Sequence, residues 1–149
     1  MNAVSKLFSE PNVLHLEELL SDVVNAFNRR RMLVLDQYGV TESDVEIIRY
    51  LNEQDQKKMK EVGEVFAIKL STLTSTVDKL EKLKLVKRRN SKEDRRVIFI
   101  KPTTRGQNLL SDLQEITRVV ADALVSGSNA QDYDTLKKSL ERILSMMKS

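Results

Sequence analysis

The residues best suited to chemistry in this chain are short hydroxyls and cations placed at helical spacing. Between Leu70 and Leu83, Leu73, Val77 and Leu80 recur at i, i+4 and i+7, a single apolar stripe of an α-helix. At 3.6 residues per turn the opposite face carries Ser71, Ser75, Asp78 and Lys82, flanked by Thr72 and Lys79. Short hydroxyl side chains near the start let a helix approach base edges, and lysines toward its end reach phosphates. A solvated surface helix would show the same face, so the helix alone leaves both readings open.

The segment that follows separates them. Leu85–Arg89 and Val97–Lys101 are β-branched or apolar runs that predict two strands, with Val97, Phe99 and Lys101 on one face and Ile98 and Ile100 on the other. The seven residues from Asn90 to Arg96 form a polar hairpin loop with turn-forming residues at its start. Lys58–Phe66 predicts a short helix ahead of the turn, with Val62 and Phe66 facing inward. A helix-turn-helix followed by a basic hairpin is a winged helix, and Arg95 and Arg96 are the kind of side chain that enters a narrow, electronegative minor groove.

Charge supports a polyanionic partner. Residues 57–101 hold 14 Lys or Arg against 6 Asp or Glu, a net of +8, while the rest holds 11 against 16, a net of −5. Other chemistries lack their residues. The chain has one histidine, His15, and no cysteine, so disulfides, thiolate zinc sites and thiol redox sensing are excluded. The sequence shows no phosphate-binding loop, nucleophile elbow, metal-ligand cluster or glycine-rich cofactor turn. The expectation is a protein that is not an enzyme and needs no cofactor or metal. No apolar run approaches the roughly 20 residues of a membrane span, and the N-terminal MNAVSKLFSEPN lacks a signal-peptide core, so a cytoplasmic protein with no membrane partner is expected.

The run from Ser71 to Gly106, STLTSTVDKLEKLKLVKRRNSKEDRRVIFIKPTTRG, resembles the core of the MarR family (multiple antibiotic resistance regulators). Ser71, Thr72, Val77, Asp78, Leu80, Glu81, Leu85, Val86, Arg88 or Arg89, Asp94, Arg96, Thr103 and Gly106 fall on the family pattern. Upstream, Met59-Lys60-Glu61-Val62 and the spacing of Thr41, Ile48 and Leu51 also match. Three positions depart from it: Lys84 stands for the usual glycine after the recognition helix, Pro102 for a leucine, and Ser75 for an often longer polar residue.

The resemblance implies a homodimeric, sequence-specific DNA-binding transcription regulator acting on double-stranded DNA. It puts Ser71, Thr72, Ser75 and Lys79 toward the major groove and Lys58, Lys60 and Lys82 on phosphates. Asp94 would hold the wing in shape while Arg95 and Arg96 reach the minor groove. Many members release DNA when a small, often aromatic, compound binds. The residues also admit a second reading, a winged-helix protein-interaction module without sequence-specific DNA binding, because short hydroxyls stand where longer base-reading side chains are common.

The flanking sequence predicts the rest of a mainly α fold with a small β-hairpin wing, read as one domain over 1–149. Residues 41–101 form the winged helix-turn-helix, and 13–38 and 104–149 form dimerisation helices. Pro11 is placed ahead of the first helix, which carries Leu16, Leu19, Leu20, Val23 and Phe27 at helical spacing and ends at Gly39. Its Arg29-Arg30-Arg31 cluster is read either as pairing with a partner subunit or as a solvated face. Thr41 caps the next helix in a box with Asp44, Val45, Ile48 and Leu51 form its buried stripe, and Asn52–Lys57 is a polar connector. After the wing, Thr103 or Thr104 starts a helix to about Leu124, and Ser126-Gly127-Ser128 breaks it before a last helix. A winged module does not need three further amphipathic helices for its own core. Leu16, Leu20, Leu136, Leu140 and Ile143 are therefore candidate dimer-interface residues.

Overall fold

A computed structural model of the chain describes residues 10–54, 56–125 and 130–148. The elements in order are α1 (Glu10–Tyr38), α2 (Glu42–Asn52), β1 (Lys57–Lys58), α3 (Met59–Val65), α4 (Leu70–Lys82), β2 (Val86–Asn90), β3 (Ile98–Pro102), α5 (Thr104–Val125) and α6 (Ala130–Met147). They fall into two units, 1–113 and 114–149. The break at Ser126-Gly127-Ser128 and the Ser128 or Asn129 cap expected before the last helix lie outside the described residues.

In the first unit, Val45, Ile48 and Leu51 of α2 meet Val62 of α3, Leu73, Val77 and Leu80 of α4, Leu85, Ile100 and Leu109 in a core whose members are all fully buried. Each such side chain contributes about 1.5–3 kcal/mol by leaving water. The stripe of α4 read from sequence is therefore the face that anchors it. Thr41 caps α2 as expected, with its hydroxyl accepting from the Asp44 N–H and the Asp44 carboxylate accepting from the Thr41 N–H at 2.8 Å.

Three helices end in the same hydrogen-bond pattern, and only one uses glycine for it. Gly39, Ala67 and Lys84 all have positive φ, of 71°, 51° and 60°. Each donates its N–H back to Asp36, Glu64 and Glu81, and the next residue donates to Leu35, Gly63 and Leu80. The buried pairs Leu35–Val40 and Leu80–Leu85 supply the apolar contact that accompanies this turn. Lys84, the departure from the family pattern, thus makes the corner in the left-handed conformation that its side chain disfavours. Packing of Leu85 decides the backbone there.

The remaining matches to the pattern have a steric reason. The Thr103 hydroxyl donates to the Lys84 carbonyl at 2.6 Å, its N–H donates to the Leu85 carbonyl at 2.9 Å, and the Gly106 N–H donates to the hydroxyl. A Cβ on Gly106 would stand 2.3 Å from the Leu85 oxygen, so the start of α5 rests on the β2 entry through bare backbone.

The sheet differs from the sequence reading in two ways. Its strands begin and end one residue later than the apolar runs, at Val86–Asn90 and Ile98–Pro102. Leu85 is taken up by the helix cap, which leaves Val86 as the first paired residue. A third strand lies within what sequence assigned to connector and helix: Lys57–Lys58 pairs antiparallel with β3, giving the order β1-β3-β2. Two lysines in a row carry no strand signal, and Lys57 is buried there because of its neighbours. Its ammonium sits 4.2 Å from the Tyr50 ring centroid and 3.7 Å from Glu61, with Glu53 at 4.0 Å. The Tyr50 ring meets Phe66 edge-on at 5.6 Å. At the other end of the unit, α1 begins three residues before the predicted start, with Pro11 inside its first turn, where a missing N–H costs nothing.

In the second unit, the described side chains of α6 leave Tyr133, Leu136, Leu140, Ile143, Leu144, Met146 and Met147 exposed. The first turns of α1, in the other unit, expose Leu16, Leu19, Leu20, Val23 and Val24. Among the described residues no helix is long and apolar enough to cross a membrane.

Candidate nucleic-acid interface

The interface is built on α4, whose buried stripe turns Ser71, Thr72, Ser75 and Lys82 outward, all exposed. The hydroxyls differ in readiness. Ser75, Thr74 and Thr76 donate to carbonyls four residues back, at 3.2, 2.7 and 3.1 Å, and keep acceptor capacity. Ser71 and Thr72 make no side-chain hydrogen bond among the described residues, so each can donate or accept freely.

Sequence places Lys79 on the groove face; its ammonium lies 2.5 Å from Asp44 Oδ2 while its side chain stays 44% exposed. Asp44 is buried on α2, and the pairing draws Lys79 to the side of the helix next to it. Burial pushes the Asp44 carboxyl up, but hydrogen bonds from Lys79 and from the Thr41 N–H and hydroxyl outweigh it and hold the pKa below the ordinary value. Asp78, placed on the exposed face by sequence, is likewise engaged. Arg88 of β2 reaches it at 2.5 Å, contacts Glu81 at 3.0 Å and donates to the Thr74 carbonyl at 3.0 Å. The Arg88 N–H also donates to Glu81 at 2.8 Å. One arginine thereby ties the wing strand to two turns of the recognition helix. Sequence placed Arg88 only as one of two arginines in a pattern; the signal for its role is the carboxylate pair at 78 and 81, one turn apart and facing it.

The wing loop is held by its own polar groups. Asp94 Oδ1 accepts from the Arg96 N–H at 2.9 Å and the Asp94 carbonyl accepts from Val97, while Ser91 Oγ accepts from the N–H groups of Glu93 and Asp94. Asn90 closes the loop by donating to the Arg95 carbonyl. The Asp94 position thus sits where a wing-holding group is needed, and Arg95 and Arg96 project exposed from the tip. Lys58 and Lys60 are exposed at the start of α3, Lys60 with only a solvated partner, Glu64, at 3.8 Å.

Behind the interface, Arg31 of α1 makes a two-pronged pair with Glu42, both contacts 2.6 Å. This corrects the two readings of the arginine cluster for that residue: its partner is within the chain, because the Gly39 turn folds the start of α2 back along α1. Tyr38 donates to Asp112 at 2.6 Å beneath the Arg105 guanidinium, which fixes the end of α1 to α5. His15 is exposed, near Glu18. Among the described residues no group of three or more His, Asp or Glu could hold a metal.

Known proteins give this arrangement a family. Residues 31–113 match the family described as transcriptional regulator SarA/Rot. The helix-turn-helix transcriptional regulator MhqR of Bacillus subtilis is 24% identical over 130 residues, covering 87% of this chain and 90% of that protein. YpoP of the same organism, also described as a helix-turn-helix transcriptional regulator, is 31% identical over 100 residues, covering 67% and 70%. The solved structure of an S. aureus MepR–DNA complex superimposes with a TM-score of 0.76 at 22% identity, covering 88% of this chain and 98% of that one, which shows a shared fold. The chain belongs to the SarA/Rot family of transcriptional regulators and is a DNA-binding winged helix-turn-helix protein of the MarR type.

Proposed function

We propose that the chain acts as a homodimer that recognises a specific DNA sequence, with α4 in the major groove and the wing arginines in the adjacent minor groove. The observation that carries this reading is the Arg88 bridge. It fixes the angle between an exposed hydroxyl-bearing helix face and a cationic loop, so that both can engage one duplex together. Ser71, Thr72 and Ser75 are the base-facing groups, Lys58, Lys60 and Lys82 contact phosphates, and Arg95 and Arg96 occupy the minor groove around the Asp94 hinge. Lys79 serves α4 chiefly as an anchor, given its pairing with Asp44.

The exposed leucines on α1 and α6 support the dimer. Leu16 is 56% exposed and Leu140 42%, in stripes that a second copy would cover, together with Leu20, Leu136 and Ile143. Sedimentation checks it: a dimer at micromolar concentration is expected, and a monomer of about 17 kDa where DNA binding occurs would refute it. With two-fold symmetry, half-site centres lie about 34 Å apart.

Titrating three variants against a matched and a scrambled operator over several salt concentrations tests the assignment of roles. Lys82→Ala weakens binding to both and lowers the salt slope by about one unit. Ser75→Ala costs ~1 kcal/mol at one base-pair position per half-site. Arg96→Ala costs roughly 1–3 kcal/mol, most where flanking DNA is A·T-rich. If Arg96→Ala binds like wild type while Lys82→Ala changes sequence preference, the roles are wrong. Family membership favours this regulator over an interaction module, for which all three variants would leave DNA binding unchanged. Regulation by a small aromatic compound, implied by the family resemblance, is tested by titrating simple phenols against the complex.

A further inference from the structure

The outward face of the wing sheet carries cations that neither α4 nor the wing loop accounts for. Opposed residues in antiparallel strands share a face, so the register puts Lys58, Phe99 and Arg89 in one row and Lys101 opposite Lys87 in the next. The other face holds Lys57, Ile100 and Arg88, which are buried or paired with α4. Four of the five outward side chains are cationic, and none of the four has an ion pair among the described residues. Arg89 lies near Glu93, whose carboxyl is held down first by the Ser91 hydroxyl and least by Arg89. Lys87 and Lys101 stand directly opposite each other, an arrangement that costs the folded state and adds nothing to the core. Beside them the face is hollowed by a cavity of about 600 Å³, in whose lining Glu53, 4.0 Å from Lys57, is the one carboxylate among the described residues.

We propose that this face is a second DNA-backbone surface, taking phosphates of the duplex that flanks the sequence met by α4. It rests on the reading of α4 and the wing as DNA-facing. Charge complementarity argues for a polyanion, since four like charges are lined up with no ion pair among the described residues. Continuity argues for DNA: Lys58 lies in the same row, and the strands lead directly into the loop that bears Arg95 and Arg96. An acidic protein segment would meet the charge but not that continuity. The contact is independent of sequence, because phosphates carry no code.

Selection from random-sequence DNA with the full chain supplies an enriched duplex, prepared in two lengths: the core alone, and the core with about ten base pairs added on each side, roughly one helical turn. Binding is measured across a salt series for wild type, for Lys87→Gln/Arg89→Gln/Lys101→Gln, and for the charge-retaining Lys87→Arg/Lys101→Arg. Wild type has the steeper slope on the long duplex. The triple variant loses up to about 2.7 slope units per chain there, at about 0.9 per phosphate, and matches wild type on the short duplex. The arginine variant behaves as wild type, and melting curves show the triple variant folded, since all three residues lie outside the buried core. Equal slopes for wild type and triple variant on both lengths would overturn the inference while leaving the α4 reading intact, and would favour the acidic protein partner. Equal loss on both lengths would overturn it too, by placing these residues in the core contact. Should selection enrich nothing, the α4 reading fails instead, and arbitrary duplexes of the two lengths still decide the sheet face.

Discussion

Lys84→Gly should make the protein more stable, although it deletes a whole side chain. Lys84 sits at φ 60° in the turn that joins the recognition helix to the wing. A left-handed conformation costs an L-residue about 1–2 kcal/mol, and glycine is spared that cost. Glycine also gains freedom in the unfolded chain, which takes back about 0.4–1 kcal/mol. The balance is a stabilisation of about 0.5–1 kcal/mol, or about 1–4 °C in Tm for a chain of this size. Thermal melts at one fixed protein concentration measure it, since oligomer formation makes Tm concentration-dependent. Two controls isolate the cause. Lys84→Ala removes the charge and keeps the strain, so its Tm stays near or below wild type. Gly39→Ala imposes the same strain at φ 71°, where the new Cβ meets nothing closer than Leu83 Cδ2 at 3.5 Å, so its loss mirrors the gain at Lys84. A Lys84→Gly protein that melts at or below wild type, beside a Gly39→Ala that melts lower, would refute the argument and give Lys84 a contact that outweighs its backbone.

Gly106→Ala should destabilise by at least about 1–3 kcal/mol, because the clash is with the Leu85 backbone, which has no rotamer to yield; urea denaturation reads it. Asp44 sets part of the acid limb. Its folded pKa lies below the ordinary 3.8, so its stabilisation is fully present above that value and is lost as pH falls through the folded pKa. Asp44→Asn should cost about 1–3 kcal/mol at neutral pH and flatten the decline below about pH 4 in a stability–pH series. Arg88→Ala should lower DNA affinity with no change in salt slope, because it orients α4 and the wing without touching phosphate. A slope reduced by about one unit would instead make Arg88 a phosphate contact.

The recognition helix was legible in the sequence because its signal is local: three apolar residues at i, i+4 and i+7 fix which face is buried, and hence which hydroxyls are exposed. The capping box at Thr41 and Asp44 was legible for the same reason, as was the αL cap at Gly39, where the residue type states the dihedral. The hairpin was visible in its β-branched runs, and its charge in a plain count.

What the sequence could not show depends on partners distant along the chain. Asp44 and Lys79 are 35 residues apart, and only the docking of α2 against α4 brings them together. Lys57 reads as the end of a polar connector and Lys58 as the start of a helix, and they become a strand because β3 offers an unpaired edge and Tyr50 a ring for the buried ammonium. The left-handed turns at Ala67 and Lys84 carry no residue signal, since each is set by the hydrogen bonds that close its helix, and at Lys84 by the burial of Leu85 as well. Those contacts outweigh a local preference of about 1–2 kcal/mol. The cationic sheet face needed the register, because the face a strand residue occupies depends on its pairing, and a slip of one residue in β2 would turn Lys87 and Arg89 inward.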